Sequence, residues 1–72
     1  MQKKYGIEVD CANCAAAVER KLAELDGLES VTISYMAQKM VVTYADGVDE
    51  RTMLREMRKV ARRIEPDFEI EG

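Results

Sequence analysis

Two hydrophobic periods alternate along this chain, and their order restricts the folds open to it. Tyr5, Ile7 and Val9 alternate with Lys4, Gly6 and Glu8. That is the period-two pattern of a strand with one buried face, over about Lys3 to Val9. Val18, Leu22 and Leu25, with Ala15 filling in, then fall at helical spacing. This predicts a helix from Asn13 or Cys14 to Leu25, with Asn13 as N-cap and Gly27 as the stop. Val31, Ile33 and Tyr35 predict a strand over Glu29 to Tyr35, and Met40, Val42 and Tyr44 a third after a short link. So short a link makes the pair an antiparallel hairpin. A second helix is expected from Asp49, its cap, to Ile64, with Met53, Met57, Val60, Ala61 and Ile64 inward and Leu54 at the edge. Pro66 stops it. Asp67 to Glu71 is the last strand, burying Phe68 and Ile70. The order β-α-β-β-α-β with two crossover helices predicts an α+β fold: a four-stranded antiparallel sheet carrying both helices on one face.

Seventy-two residues allow one domain, residues 1–72, and one modest core. Hydrophobic residues make up 47% and charged residues 35%, a balance that suits a globular domain and excludes a disordered one. No apolar run is long enough to span a bilayer, and no signal segment is visible, so a cytoplasmic location is expected. The net charge of −3 argues against nucleic acid as a partner. The positive charge is concentrated: Arg51, Arg55, Arg58, Lys59, Arg62 and Arg63 fall on the second helix. Such a stripe reads first as a solvated face and second as a docking surface for an acidic partner. Of the methionines, Met40, Met53 and Met57 fall on core stripes, whereas Met36 has no assigned place.

Both cysteines lie in the turn between the first strand and the first helix, in Val9-Asp10-Cys11-Ala12-Asn13-Cys14-Ala15. Free N–H groups and the positive end of the helix dipole favour a thiolate near a helix N-terminus. In a reducing compartment a close pair reads as a metal or redox site. A bridge between Cys11 and Cys14 would close too short a loop to stabilise the chain much. Buried inert thiols and a thiol–disulfide redox pair are the competing readings. Asp10 is either a ligand beside Cys11 or a solvated turn residue of Asx type.

With these residues in place, the chain resembles the heavy-metal-associated domain, the ferredoxin-like βαββαβ module of metal-transporting P-type ATPases and small metallochaperones. The resemblance rests on Asp10-Cys11-Ala12-Asn13-Cys14-Ala15 at the first strand–helix junction. Leu25-Asp26-Gly27-Leu28, Val31-x-Ile33 and Lys39-Met40-Val41-Val42-Thr43-Tyr44 add to it. The family motif is often written with Met two residues before the first Cys and Thr directly before it; Val9 and Asp10 stand there instead. In that resemblance, Asp beside the first Cys looks like the domains of zinc, cadmium and lead transporters and unlike most copper domains.

The chemistry of the donors agrees. Cu(I) is satisfied by two thiolates, whereas Zn(II) and Cd(II) want about four ligands. The chain has no histidine, so a carboxylate is the obvious third donor. Cys11, Cys14 and Asp10 are therefore the expected metal site. The expectation is a non-enzymatic carrier of Zn(II), Cd(II) or Pb(II), as the N-terminal domain of a metal-exporting P-type ATPase. Its partners would be the rest of that ATPase or another metal-binding domain. A free-standing Cu(I) metallochaperone of the same fold is the alternative, and a thiol–disulfide oxidoreductase the third reading.

Overall fold

A computed structural model describes residues 1–71; residue 72 of the expected domain lies outside the described residues. The elements are β1 (Gln2–Glu8), α1 (Ala12–Ala23), β2 (Leu28–Ser34), β3 (Lys39–Tyr44), α2 (Glu50–Ile64) and β4 (Glu69–Ile70). The strands form one sheet in the order β2-β3-β1-β4, antiparallel throughout. This is the predicted ferredoxin-like arrangement.

One face of the sheet carries the core. Tyr5 lies opposite Met40, Val31 opposite Val42, and Ile7 opposite Ile70, so the buried residues of the four strands pair in register. Both helices press on that face. α1 buries Ala15, Val18 and Leu22, and α2 buries Met53, Leu54, Met57 and Ala61. Tyr44, Phe68, Leu22, Met40, Met57, Val18 and Val42 are almost wholly removed from water. The three core methionines sit where their periodicity puts them. No thiol belongs to this innermost group: Cys14 only packs against its edge.

Several boundaries differ from the expectation. α1 starts one residue or more earlier, because Cys11 is its N-cap, with extended backbone (φ −130°, ψ 127°) and its carbonyl already accepting from the Ala15 N–H at 2.9 Å. Asn13 is therefore inside the first turn and caps nothing. The helix also ends sooner, at Ala23, with Glu24 as C-cap. On α2, Leu54 is fully inside while Val60 and Ile64 are half-buried, so the inward stripe is rotated slightly from the expected one. Asp49 caps it as expected, accepting from the Arg51 N–H at 3.3 Å and from the Thr52 hydroxyl at 2.8 Å. β4 is only two residues, and Phe68 is buried just before it. Tyr35 is not on the buried face of a strand; it lies past the end of β2, exposed.

Gly27 is not the helix stop: it lies in the turn between Glu24 and β2, with a φ of +99°, a conformation that costs a side-chained residue energy. A Cβ there would also meet Met53 Sδ and Val48 Cγ2 at 3.3 Å each. At the far end from the cysteines, the Tyr5 hydroxyl donates to Glu50 Oε2 at 2.7 Å and lies 2.7 Å from the Tyr44 hydroxyl. Tyr5 has one proton to give, so Tyr44 is the donor between the two. Burial first, then the contacts to Tyr44 and Glu50, push the Tyr5 phenol well above its ordinary range.

Candidate metal centre

The site grows out of the end of β1. The ladder stops at Glu8, and the chain passes through Val9, still buried, to exposed Asp10 and half-buried Cys11. Because Cys11 is the N-cap, the unpaired N–H groups of the first turn point at it. The Cys14 N–H first, then the Cys14 thiol and the Asn13 N–H, favour the charged sulfur and hold the Cys11 thiol below its ordinary value, although none closes a capping hydrogen bond to it. The first turn of α1 holds no acidic residue, so no carboxylate there competes with the Cys11 sulfur for the positive helix end.

Cys14 behaves oppositely. It is one turn inside the helix, and its thiol is pushed up to about 11, first by a hydrogen bond to the Glu65 side chain, then by Cys11 and by burial. The helix end therefore favours a thiolate at the first cysteine and not at the second. The thiols are free, with no disulfide between them, and their surroundings set them apart: the Cys11 thiol is lowered and the Cys14 thiol raised.

Glu65 is the residue that reading the sequence missed. It is the C-cap of α2, its N–H bonded to the Ala61 carbonyl at 2.9 Å and its Oε1 accepting from the Asp67 N–H at 3.3 Å. The topology accounts for its arrival. β1 and β3 are antiparallel, so the helices that follow them run in opposite senses, and the end of α2 comes to the beginning of α1. The same antiparallel pairing brings the β2–β3 turn to the end of β1. There the Tyr35 hydroxyl donates to the Asp10 carbonyl at 3.1 Å, and Gln38 Oε1 accepts from the Val9 N–H at 2.9 Å. Met36, in that turn, is 91% exposed.

The structure thus brings Cys11 and Cys14 together, with Asp10 next in the chain on one side and Glu65 against Cys14 on the other. Among the described residues no three Cys, Asp or Glu side chains converge tightly enough to form a ready cation cage. Two sulfurs are in place, and further donors must move in or come from outside. The basic stripe on α2 is partly engaged within the molecule: Arg58 donates to the Ile70 carbonyl at 3.0 Å, and Arg62 and Lys59 pair with Glu69 and Glu56.

Residues 7–66 match the heavy-metal-associated domain family, most of the chain and the whole of the cysteine turn. The chain belongs to the heavy-metal-associated domain family. As such it is a metal-binding module. It is 35% identical over 60 residues to heavy metal-associated isoprenylated plant protein 28 of Arabidopsis thaliana, covering 82% of this chain and 36% of that protein. It is 42% identical over 41 residues to a probable copper-importing P-type ATPase A of Enterococcus hirae, covering 57% of this chain and 6% of the ATPase. The chain thus spans a minor part of each curated relative. Among solved structures, a CopZ metallochaperone superposes with a TM-score of 0.73 at 21% identity, over 97% of this chain and 98% of that one, which shows a shared fold. Among the described residues no helix is long and apolar enough to cross a membrane.

Proposed function

We propose that this heavy-metal-associated domain binds and passes on a divalent soft or borderline ion, Zn(II), Cd(II) or Pb(II), through Cys11, Cys14 and Asp10. The observation that supports the reading is the dithiol at the head of α1, with Asp10 directly before Cys11 in the chain and Glu65 against Cys14, on a chain that has no histidine. Two thiolates and Asp10 around a divalent ion sum to −1, but around Cu(I) to −2, and carboxylate oxygen is a poor ligand for so soft an ion. Cys11 takes the ion first, because its thiolate is already favoured. Cys14 follows as its proton leaves. The remaining position is open, as in catalytic and not structural zinc sites. A partner's ligand enters there before Cys11 or Cys14 lets go, so the ion is handed over without being freed. On this reading the chain is the cytosolic N-terminal domain of a metal-exporting P-type ATPase, and its partners are the rest of that protein or another metal-binding domain.

The second reading is Cu(I) carriage by Cys11 and Cys14 alone. The copper-importing relative favours it, and so does the absence of a third converged donor among the described residues. The deciding experiment is competition titration of wild type and Asp10→Ala with Zn(II), Cd(II) and Cu(I) under reducing conditions, each against a chromophoric chelator. Losing one charge-assisted donor costs about 1–3 kcal/mol, or roughly one to two powers of ten in divalent affinity. Cu(I) affinity stays level or rises. Loss for no ion sinks the carboxylate ligand and leaves the copper reading standing. Equal loss for all reduces Asp10 to a turn former.

A further inference from the structure

The β2–β3 turn reaches across to the metal site with side chains that no ladder requires. Past Glu8 the chain has no ladder partner among the described residues, and the turn makes contacts on either side of that point. The Ile7 N–H donates to the Gln38 carbonyl at 2.9 Å, and the Val9 N–H to Gln38 Oε1 at 2.9 Å. Gln38 Nε2 in turn donates to the Tyr35 carbonyl at 2.7 Å, while the Tyr35 hydroxyl donates to the Asp10 carbonyl at 3.1 Å. The result is a closed brace: Gln38 holds Val9, Tyr35 holds Asp10, and Gln38 holds Tyr35.

Gln38 stands in the left-handed region, φ 53°, alone among the non-glycine residues described. A side chain there is strained unless the surroundings demand it, and glycine would serve a plain hairpin turn better. A glycine, however, has no amide to reach Val9. Tyr35 likewise leaves an aromatic ring in water, 36% exposed, to place its hydroxyl on one carbonyl.

We propose that Tyr35 and Gln38 are positioning residues of the metal site: they fix the Val9–Asp10 backbone that leads into Cys11 and from which the Asp10 carboxylate swings in to a divalent ion. Neither residue touches the cargo. Their effect is to remove the freedom that the segment would otherwise lose on binding, in the way that outer partners orient the ligands of a metal site. The third residue of the site, Cys14, is on the helix and needs no such brace. The selectivity part of this inference rests on the reading of Asp10 as a ligand.

The test uses Tyr35→Phe and Gln38→Gly, alone and combined with Asp10→Ala. Gln38→Gly suits the left-handed backbone, so melting temperature holds while Val9 N–H exchange quickens. Tyr35→Phe removes one hydroxyl at the surface and is the check if the glycine variant unfolds. Expected is a fall of about tenfold in Zn(II) affinity for each, the low end for outer partners, with Cu(I) affinity nearly unchanged. In the Asp10→Ala background the Zn(II) effect of Tyr35→Phe should shrink toward nothing. Zn(II) affinity unchanged while Val9 exchange quickens would overturn the proposal, since the brace would then serve the turn alone. Equal loss for Zn(II) and Cu(I) overturns the selectivity role. If Asp10→Ala by itself changes nothing but Tyr35→Phe still weakens Zn(II), it is the Asp10 ligand that fails, and the brace stands as an organiser of Cys11.

Discussion

Replacing Glu65 by Gln should release the proton that makes Cys14 slow. In the native site the Glu65 side chain is the foremost reason that the Cys14 thiol is pushed up to about 11. An ordinary thiol stands at 9.0, so at pH 9 it is half ionised. Cys14 would then be ionised to roughly 1%, a tenfold change per unit and two units. Only the thiolate is alkylated, so at pH 9 Cys14 should react about fiftyfold more slowly than an unperturbed thiol. Cys11, held low by the N–H groups of the helix end, should react first. The sign for metal follows. A raised value means the proton is held more tightly, so metal must displace it, and affinity falls as pH falls. Cys14 alone contributes about a tenfold gain in apparent affinity for each unit of pH up to about 11. Glu65→Gln removes the negative charge, so the Cys14 value should drop toward the ordinary one and its alkylation at pH 9 should speed up about tenfold per unit recovered. The assay is alkylation at a series of pH values with each cysteine followed by peptide mass mapping. If Cys14 reacts as fast as Cys11 at pH 9, or if Glu65→Gln leaves its rate unchanged, the account of the pair is wrong.

Three further outcomes test the frame around the site. The innermost core contains no thiol, so the metal-free protein should keep its circular dichroism and a cooperative melt in the presence of a chelator, unlike a zinc finger. Tyr5→Phe leaves the Glu50 carboxylate and the Tyr44 hydroxyl short of a partner; a loss of about 1–3 kcal/mol is expected by denaturant titration, with metal affinity unaltered at the opposite end of the sheet. Asp49→Ala should lower the melting temperature by about 4–8 °C at neutral pH, the usual worth of a helix cap. The Asp49 carboxyl is held below its ordinary value by the Thr52 hydroxyl and then the Arg51 N–H, so its contribution is complete above the unfolded value and is lost as pH falls through the folded one; the difference between the two proteins should close in acid.

The sequence by itself determined the architecture, because hydrophobic period is local. Val18 and Leu22 mark a helix, and Met40, Val42 and Tyr44 a strand, wherever they end up in space. The dithiol was equally legible, since Cys11 and Cys14 are neighbours along the chain at a junction that any βα unit presents. Ends were less so. Asn13 looks like a cap, but the helix begins sooner and Cys11 takes that place, which decides which thiol the helix end favours. Tyr35 continues the alternation of β2, yet the strand stops before it. What only the tertiary structure decided is what crosses from elsewhere to the cysteine turn. Glu65 is far from Cys14 in the chain and signals nothing but a charged residue before a proline. Gln38 reads as loop filler. Each gains its role from antiparallel packing, which brings the end of α2 and the β2–β3 turn to the point where β1 runs out. Local pattern encodes which elements form; the electrostatics of the site depend on which element ends meet, and that is a property of the packed whole.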